Sequence, residues 1–254
     1  MKGKIQLTLV QIDNYGPWTM GLGPHREPDL QILQSELYSD LQRLFSSRGG
    51  LAFYGRFDNM LAISNGIDLE EHREILESIS RRYPVTVSMG IGVGTTAYEA
   101  QENASYALRS FGASRSSNRT RVLASCNEKL SKDESMVQIA HLDVTDVSST
   151  LTDTVSAYEA QITMLRVLEV LSEGFLKKKA LVFFMGGDNF VAPSNGLVKR
   201  DYVDILEFVS HELAIKLKAG VGVAQDALGA LNLASEALDA LRHDDSKKPV
   251  YFLP

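Results

Sequence analysis

Apolar residues in this chain fall in blocks whose spacing changes from one element to the next. The block "IQLTLVQID" (5 to 13) is too densely apolar for a strand with one wet face and predicts a central strand covered on both sides. Leu30, Leu33, Leu37, Leu41 and Leu44 follow at intervals of three and four, the stripe of a long amphipathic helix. "AFYGRFDNMLAISNG" (52 to 66) is two apolar runs around a polar break, closed by Asn-Gly, and predicts a hairpin. A second helix shows an apolar face at Ile75 and Ile79. The strand "VTVSMGIGVG" (85 to 94), the Ala-rich helix "YEAQENASYALRSF" (98 to 111) and a short strand "RVLA" (121 to 124) complete the series.

The series then returns. "MVQIAHLD" (136 to 143) predicts the central strand again, and Ile162, Leu165, Leu168 and Leu171 trace the stripe expected to face the core. "VFFMGGDNFVAPSNG" (182 to 196) repeats the hairpin, and Ile205, Phe208 and Val209 mark the second helix. "IKLKAGVGVA", "ALGALNLASEALDALR" and "VYFL" close the copy. Asp13 and Asp143, Asp58 and Asp188, Asn65 and Asn195, Gly92 and Gly222, and Leu108 and Leu238 are each separated by 130 positions. Chance likeness between apolar runs does not hold one register that long, so the pattern predicts an internal duplication. The fold class expected is α+β, with two tandem ferredoxin-like βαββαβ domains, each with an added helix. Their expected limits are 1–130 and 131–254, with "GASRSSNRT" (112 to 120) as a loop and "NEKLSKDES" (127 to 135) as the linker.

Within each copy one aspartate ends the first strand and another interrupts the hairpin. A ferredoxin-like sheet can make those strands neighbours, bringing Asp13 to Asp58 and Asp143 to Asp188. Two carboxylates repel in a dry fold and are relieved by a divalent cation; magnesium favours one or two carboxylates with waters and substrate phosphates. A single aspartate in a turn is commonly a turn former, so it is the coincidence in both copies that points to a metal. Asn59 and Asn189 stand beside the second acids as orienting amides. Gly186 and Gly187 let a ligand approach the backbone closely, whereas copy one has Arg56 and Phe57 there, so the halves need not be equally competent. After Asp13, "NYGPWT" offers the amides of Asn14, Tyr15 and Gly16 as a phosphate cradle, or else a rigid turn with Trp18 as a lid. His141 shares the strand face of Asp143, where copy one has Gln11.

The 254 residues are 44% apolar and carry a net charge of −6, which argues against coating nucleic acid or an anionic membrane. Cys126 is the only cysteine, which excludes an intramolecular disulfide and a cysteine-based zinc site. "MKGKIQLTLVQID" lacks a signal-peptide pattern, and no run approaches the roughly 20 apolar residues of a membrane span. A cytoplasmic protein without a nucleic-acid or membrane partner is expected. Pseudo-symmetry within the chain and exposed sheet edges suggest a homo-oligomer.

At these residues the sequence resembles known proteins. The strand-end aspartate with "GGDNF" resembles the metal pair of palm-type nucleotidyl transferases, among them the GGDEF diguanylate cyclases and class III nucleotide cyclases. "QIDNYGPWT", "RFDNMLAISNGID", "QIAHLD", "TLTDTVSAYEAQ" and "FFMGGDNFVAPSNG", in this order, resemble the archaeal GTP cyclohydrolase III family over nearly the whole chain. The resemblance implies an enzyme that opens the guanine imidazole ring of GTP. It would give 2-amino-5-formylamino-6-(5-phospho-D-ribosylamino)pyrimidin-4(3H)-one and diphosphate, using two Mg2+ ions and K+. It implies Asp13 and Asp58, or Asp143 and Asp188, as magnesium ligands and catalytic residues. Gly186 and Gly187, with Asp153 and Glu159 on or near the first helix where the cyclases read guanine, favour the C-terminal half as the GTP site, whereas "NYGPWT" followed by Arg26, Glu27 and Asp29 favours the N-terminal half. A nucleotidyl cyclase and a non-catalytic GTP sensor are the alternative readings.

Overall fold

The computed structural model describes residues 3–56, 58–114, 116, 119–126, 130, 134–145, 154–243 and 248–254. The first strand, β1 (Ile5–Ile12), is followed by a short helix α1 (Tyr15–Met20) and a long one, α2 (Arg26–Ser46). The hairpin β2 (Leu51–Arg56) and β3 (Asn59–Ile63), helix α3 (Leu69–Arg82), strand β4 (Val87–Gly94), helix α4 (Ala97–Arg109) and strand β5 (Leu123–Ser125) complete one sheet, ordered β2-β3-β1-β4-β5. The remaining elements are β6 (Val137–Val144), α5 (Ala157–Lys177), β7 (Phe183–Gly186), β8 (Asn189–Pro193), α6 (Lys199–Leu213), β9 (Leu217–Ala224), α7 (Ala227–His243) and β10 (Val250–Leu253). They form a second sheet, β10-β9-β6-β8-β7, the same arrangement displaced along the chain. In both, the central strand pairs antiparallel with the second hairpin strand, as β1 with β3 and β6 with β8, and the last strand runs parallel to its neighbour. This is the palm-type α+β architecture in tandem.

Local chemistry sets the helix limits. Asp68 caps α3 by accepting from the Glu70 and Glu71 amides, with the Glu71 carboxylate returning to the Asp68 N–H. The helix stops at Arg82, before Tyr83 and Pro84, because the residue ahead of proline is pushed to extended backbone. Asn65 and Asn195 extend the pairing past the hairpins. Each side-chain oxygen accepts from the central strand, from the Gln6 amide at 2.8 Å and the Gln138 amide at 3.0 Å.

Each sheet buries one face under its own pair of helices. Val10, Ile12, Met60, Val87 and Met89 meet Leu37, Leu41 and Phe45 of α2 and Ile75 and Ile79 of α3. Ala140, Leu142, Phe190 and Ala219 meet Val167, Leu171 and Phe175 of α5 and Ile205 and Val209 of α6. The other faces share a third core, where Ile5, Leu7 and Phe53 join Val137, Ile139 and Val191 with the alanines of α4 and α7 between them. Phe53 and Phe183 stack across this junction with centroids 4.4 Å apart. The contact is two-fold in character: the Leu228 amide donates to the Gly49 carbonyl at 3.3 Å, and the Tyr98 amide to the Lys179 carbonyl at 3.1 Å, pairs again displaced by 130 positions. Glycines let the inner helices lie against the strands. A Cβ at Gly92 would sit 2.2 Å from the Ala100 carbonyl oxygen, and one at Gly222 2.2 Å from that of Ala230.

The structure corrects the stripe expected on α5. Leu168 is partly buried and Leu171 fully, but Leu165 is 52% exposed and Ile162 also lies open; the core face is Met164, Val167, Leu171, Gly174 and Phe175. Gly174 decides the rotation, because without a side chain it admits Ile205 of α6. The last strand of the first copy begins two residues later than "RVLA". Among the described residues no helix is long and apolar enough to cross a membrane.

Candidate active site

In the N-terminal half Asp13 follows the last residue of β1 and is 5% exposed. Its Oδ1 accepts from Ser88 Oγ at 2.5 Å; its Oδ2 accepts from Thr86 Oγ1 at 2.8 Å and the Arg121 amide at 2.9 Å. Pairing of β1 with β3 brings Asp58 alongside, its carbonyl accepting from the Ile12 amide at 3.1 Å. The Asp58 carboxylate is gripped by Arg56, with Nε to Oδ1 at 3.2 Å and Nη2 to Oδ2 at 2.9 Å. Beside it Gln11 Nε2 donates to Asn59 Oδ1 at 2.7 Å, and buried Arg119 donates to Gln11 Oε1. Burial holds the Arg119 guanidinium below its usual range, opposed by the charge of Asp13.

In the C-terminal half the central strand sits two residues further along the ladder: Asp143 faces Asn189 where Gln11 faces Asn59, and Thr145, whose amide donates to the Lys216 carbonyl at 2.8 Å, stands where Asp13 does. Asp143 pairs across the ladder with Asn189, so Asp188 stands next to it in the hairpin turn. Arg242, at the end of α7, donates through Nε (3.1 Å) and Nη2 (2.9 Å) to Asp143 Oδ2, and through Nη1 to Asp239. Burial raises the Asp143 carboxyl above its ordinary value; the Arg242 hydrogen bond opposes this, while the charge of Asp188 and a hydrogen bond shared with it add to the rise. The two acids therefore stand side by side, and the charge of Asp188 makes Asp143 easier to protonate. Gly186 (φ +105°) and Gly187 (φ +61°) form the turn, and a Cβ at Gly186 would meet nothing within 4 Å, so the turn is open on that side. Only glycine adopts the backbone of Gly186 without strain.

The structure changes the reading of several predicted residues. Asn14, Tyr15 and Gly16 form no open loop. Asn14 takes a left-handed conformation (φ 49°), its N–H is spent on the Ser114 carbonyl at 3.0 Å, and Tyr15 and Gly16 open α1. Pro17 fits there because the first helical turn leaves its N–H groups without intrahelical partners anyway. Trp18 is half-buried against the N-terminal core. Glu159 closes a capping box with Ser156, accepting from its amide at 2.9 Å, which lowers the Glu159 carboxyl. Asp153 lies outside the described residues. Sequence patterns gave no role to Thr86, Ser88, Arg119, Arg121 or Arg242. Thr86 and Ser88 carried a faint signal as the polar positions, two apart, of an otherwise apolar strand segment.

Residues 6–253 match the family model described as GTP cyclohydrolase III. The chain is 51% identical over 238 residues to the GTP cyclohydrolase III of Methanothermobacter thermautotrophicus, covering 94% of each chain. To that of Methanocaldococcus jannaschii it is 49% identical, covering 94% of this chain and 88% of the relative. The chain belongs to the GTP cyclohydrolase III family. It is an enzyme of that class. Among solved structures, the GGDEF domain of DgcB from Caulobacter crescentus in complex with c-di-GMP aligns with 48% of this chain and 80% of its own, at 15% identity and a TM-score of 0.41. As a GTP cyclohydrolase III, the molecule carries two acid pairs in unlike states. One is tied off by protein donors and an arginine fork, and in the other Asp188 stands beside an Asp143 held by Arg242.

Proposed function

We propose that this enzyme hydrolyses GTP at two places, opening the imidazole ring of the guanine and cutting the triphosphate to a monophosphate. One water adds at C8; the C8–N9 bond breaks, the formyl group stays on N7 and a proton goes to N9. The product is 2-amino-5-formylamino-6-(5-phospho-D-ribosylamino)pyrimidin-4(3H)-one. The phosphates leave with one further water as diphosphate, or with two as successive orthophosphates, which phosphate-specific assays distinguish.

The observation that carries the metal part is the placement of Asp188 beside Asp143 by the pairing of β6 with β8. Two carboxylates side by side repel each other, which is a poor resting arrangement and a good divalent-cation site, and the donor set suits Mg2+. Asp143 and Asp188 would hold the ion, as Asp13 and Asp58 would in the other half. Bound there, magnesium supplies charge neutralisation and Lewis-acid polarisation at phosphate oxygens. Arg242 holds Asp143 in place and keeps a cation at the edge of the pair. Asn189 Nδ2 donates to Asp188 Oδ1 at 2.9 Å and fixes that carboxylate.

The N-terminal half has a claim of its own. Among the described residues the two buried polar side-chain atoms without a partner are Gln34 Oε1 and Arg119 Nε. Gln34 donates to the Tyr15 hydroxyl at 2.6 Å, and Tyr15 lies within reach of the Asp58 charge, while Arg119 lies within reach of that of Asp13. Orphaned buried groups flanking an acid pair are suited to a polar ligand. Asp58→Asn and Asp188→Asn, each assayed with GTP, Mg2+ and K+, separate the halves. The working half loses turnover by two orders of magnitude or more, on the order of what one preorganised electrostatic group contributes. Full activity in both variants rejects the metal assignment, and unchanged turnover without K+ rejects the potassium requirement.

A further inference from the structure

Resting on the metal reading above, we infer that His141 is a positioning residue. It fixes the orientation of the Asn189 amide, which in turn fixes the Asp188 carboxylate beside Asp143. The hydrogen-bond chain allows one assignment of donors. Asp188 Oδ1 is an acceptor, so the group of Asn189 facing it at 2.9 Å is the NH2. The Asn189 oxygen then faces His141 Nε2 at 3.0 Å, so that nitrogen carries the proton. Nδ1 is left as the acceptor for Ser235 Oγ at 3.1 Å, on α7. A turned Asn189 would set its NH2 against a ring N–H and its oxygen against a carboxylate, two mismatches at once.

The duplication supplies an internal control. In the first half Gln11, which matches His141 in sequence offset but takes the ladder place of Asp143, donates through Nε2 to Asn59 Oδ1 at 2.7 Å, and Arg119, from a different element, holds Gln11 from behind. Imidazole and amide thus do one job in two unlike surroundings: each presents an N–H to the oxygen of the asparagine that follows the hairpin acid. Packing alone does not require an N–H aimed there twice.

The test is Mn2+ binding followed by electron paramagnetic resonance on the full chain without GTP, in an Asp58→Asn background that leaves the C-terminal pair as the site. His141→Leu removes the N–H and keeps an apolar side chain of similar reach; His141→Gln restores the donor used in the other half. The expected result is a Kd for Mn2+ raised roughly 10- to 100-fold in His141→Leu, the range seen for partners of metal ligands. His141→Gln should recover most of it, with thermal midpoints of the two variants close together. Equal Mn2+ affinity in His141→Leu and its parent overturns the inference, as does His141→Gln binding no better than His141→Leu. Absence of Mn2+ binding in the Asp58→Asn parent itself would instead remove the metal reading beneath it.

Discussion

Asp13 and Asp143 are the first-strand acids of the two halves, although on the ladder Asp143 takes the place of Gln11 and not of Asp13, and the same Asp→Asn change should move stability differently in the two halves. Asp13 is buried and takes three hydrogen bonds at 2.5 to 2.9 Å from Ser88, Thr86 and the Arg121 amide, with buried Arg119 in range of its charge. Bonds to a charged group contribute about 1.5–3 kcal/mol and neutral ones about 0.5–1.5. Asparagine can keep the Thr86 and Arg121 bonds as neutral ones, but it turns an N–H toward Ser88, which already accepts from the Val122 amide. Weakening two bonds and reversing one costs about 2–4 kcal/mol. For a chain of this size roughly 2–4 °C accompany each kcal/mol, so Asp13→Asn should lower the thermal midpoint by about 5–15 °C. Asp143 is held by Arg242, which keeps Asp239, and is repelled by Asp188. Losing its charge weakens the two bonds from the partly exposed Arg242 and removes one repulsion, opposing terms, so Asp143→Asn should shift the midpoint by less than about 3 °C. Calorimetry at pH 7 with a chelator isolates the metal-free protein. Equal losses in the two variants, or a larger loss for Asp143→Asn, would refute the difference drawn between the pairs.

Other expectations follow from the same geometry. His72 is fully buried between Thr8 Oγ1 (2.7 Å) and the Asp68 carbonyl (2.6 Å), and burial lowers its pKa. Below about pH 6.5 the unfolded chain takes up a proton the folded ring resists, so stability should fall on acidification through that value. His72→Gln should flatten the midpoint-against-pH curve there; an unchanged slope would count against it. Gly222→Ala drives a Cβ into the backbone of α7 and should cost about 1–3 kcal/mol or more, whereas Gly23→Ala meets open space and should be near neutral in the same thermal scan. Mg2+ should raise the midpoint of the wild-type chain by relieving the Asp143–Asp188 repulsion, and Asp188→Asn should lose most of that rise.

Much of the fold was legible because the duplication states each element twice. Dense apolar runs, the Asn-Gly dipeptides and the shared offset located both hairpins and their acids without any distance information, but the offset misplaced the first strand, which lies two residues further along the ladder in the second half. The α5 stripe failed for a physical reason. "AQITMLRVLEVLSEGF" is apolar on more than one side, so two stripes fit the helical period, and only the approach of Ile205 to Gly174 selects one. Asn14 to Met20 hid a short helix behind Gly and Pro, which punctuate loops but fit a first turn equally well. The site's partners were the least legible. Arg119 lies in a polar run, yet it is 2% exposed and reaches a residue 108 positions away. Arg242 sits at a helix end where a basic residue is ordinary. Neither signals its partner locally, because both contacts are made by the tertiary fold.

The central claim is ring opening at an aspartate pair. The most direct measurement is to incubate the wild-type enzyme with GTP, Mg2+ and K+ while following guanine absorbance, with mass spectrometry of the product. The account predicts loss of the purine spectrum and a ring-opened formylamino monophosphate, with turnover abolished in Asp58→Asn or Asp188→Asn. A cyclised nucleotide with its purine ring intact, or unaltered GTP, would contradict it.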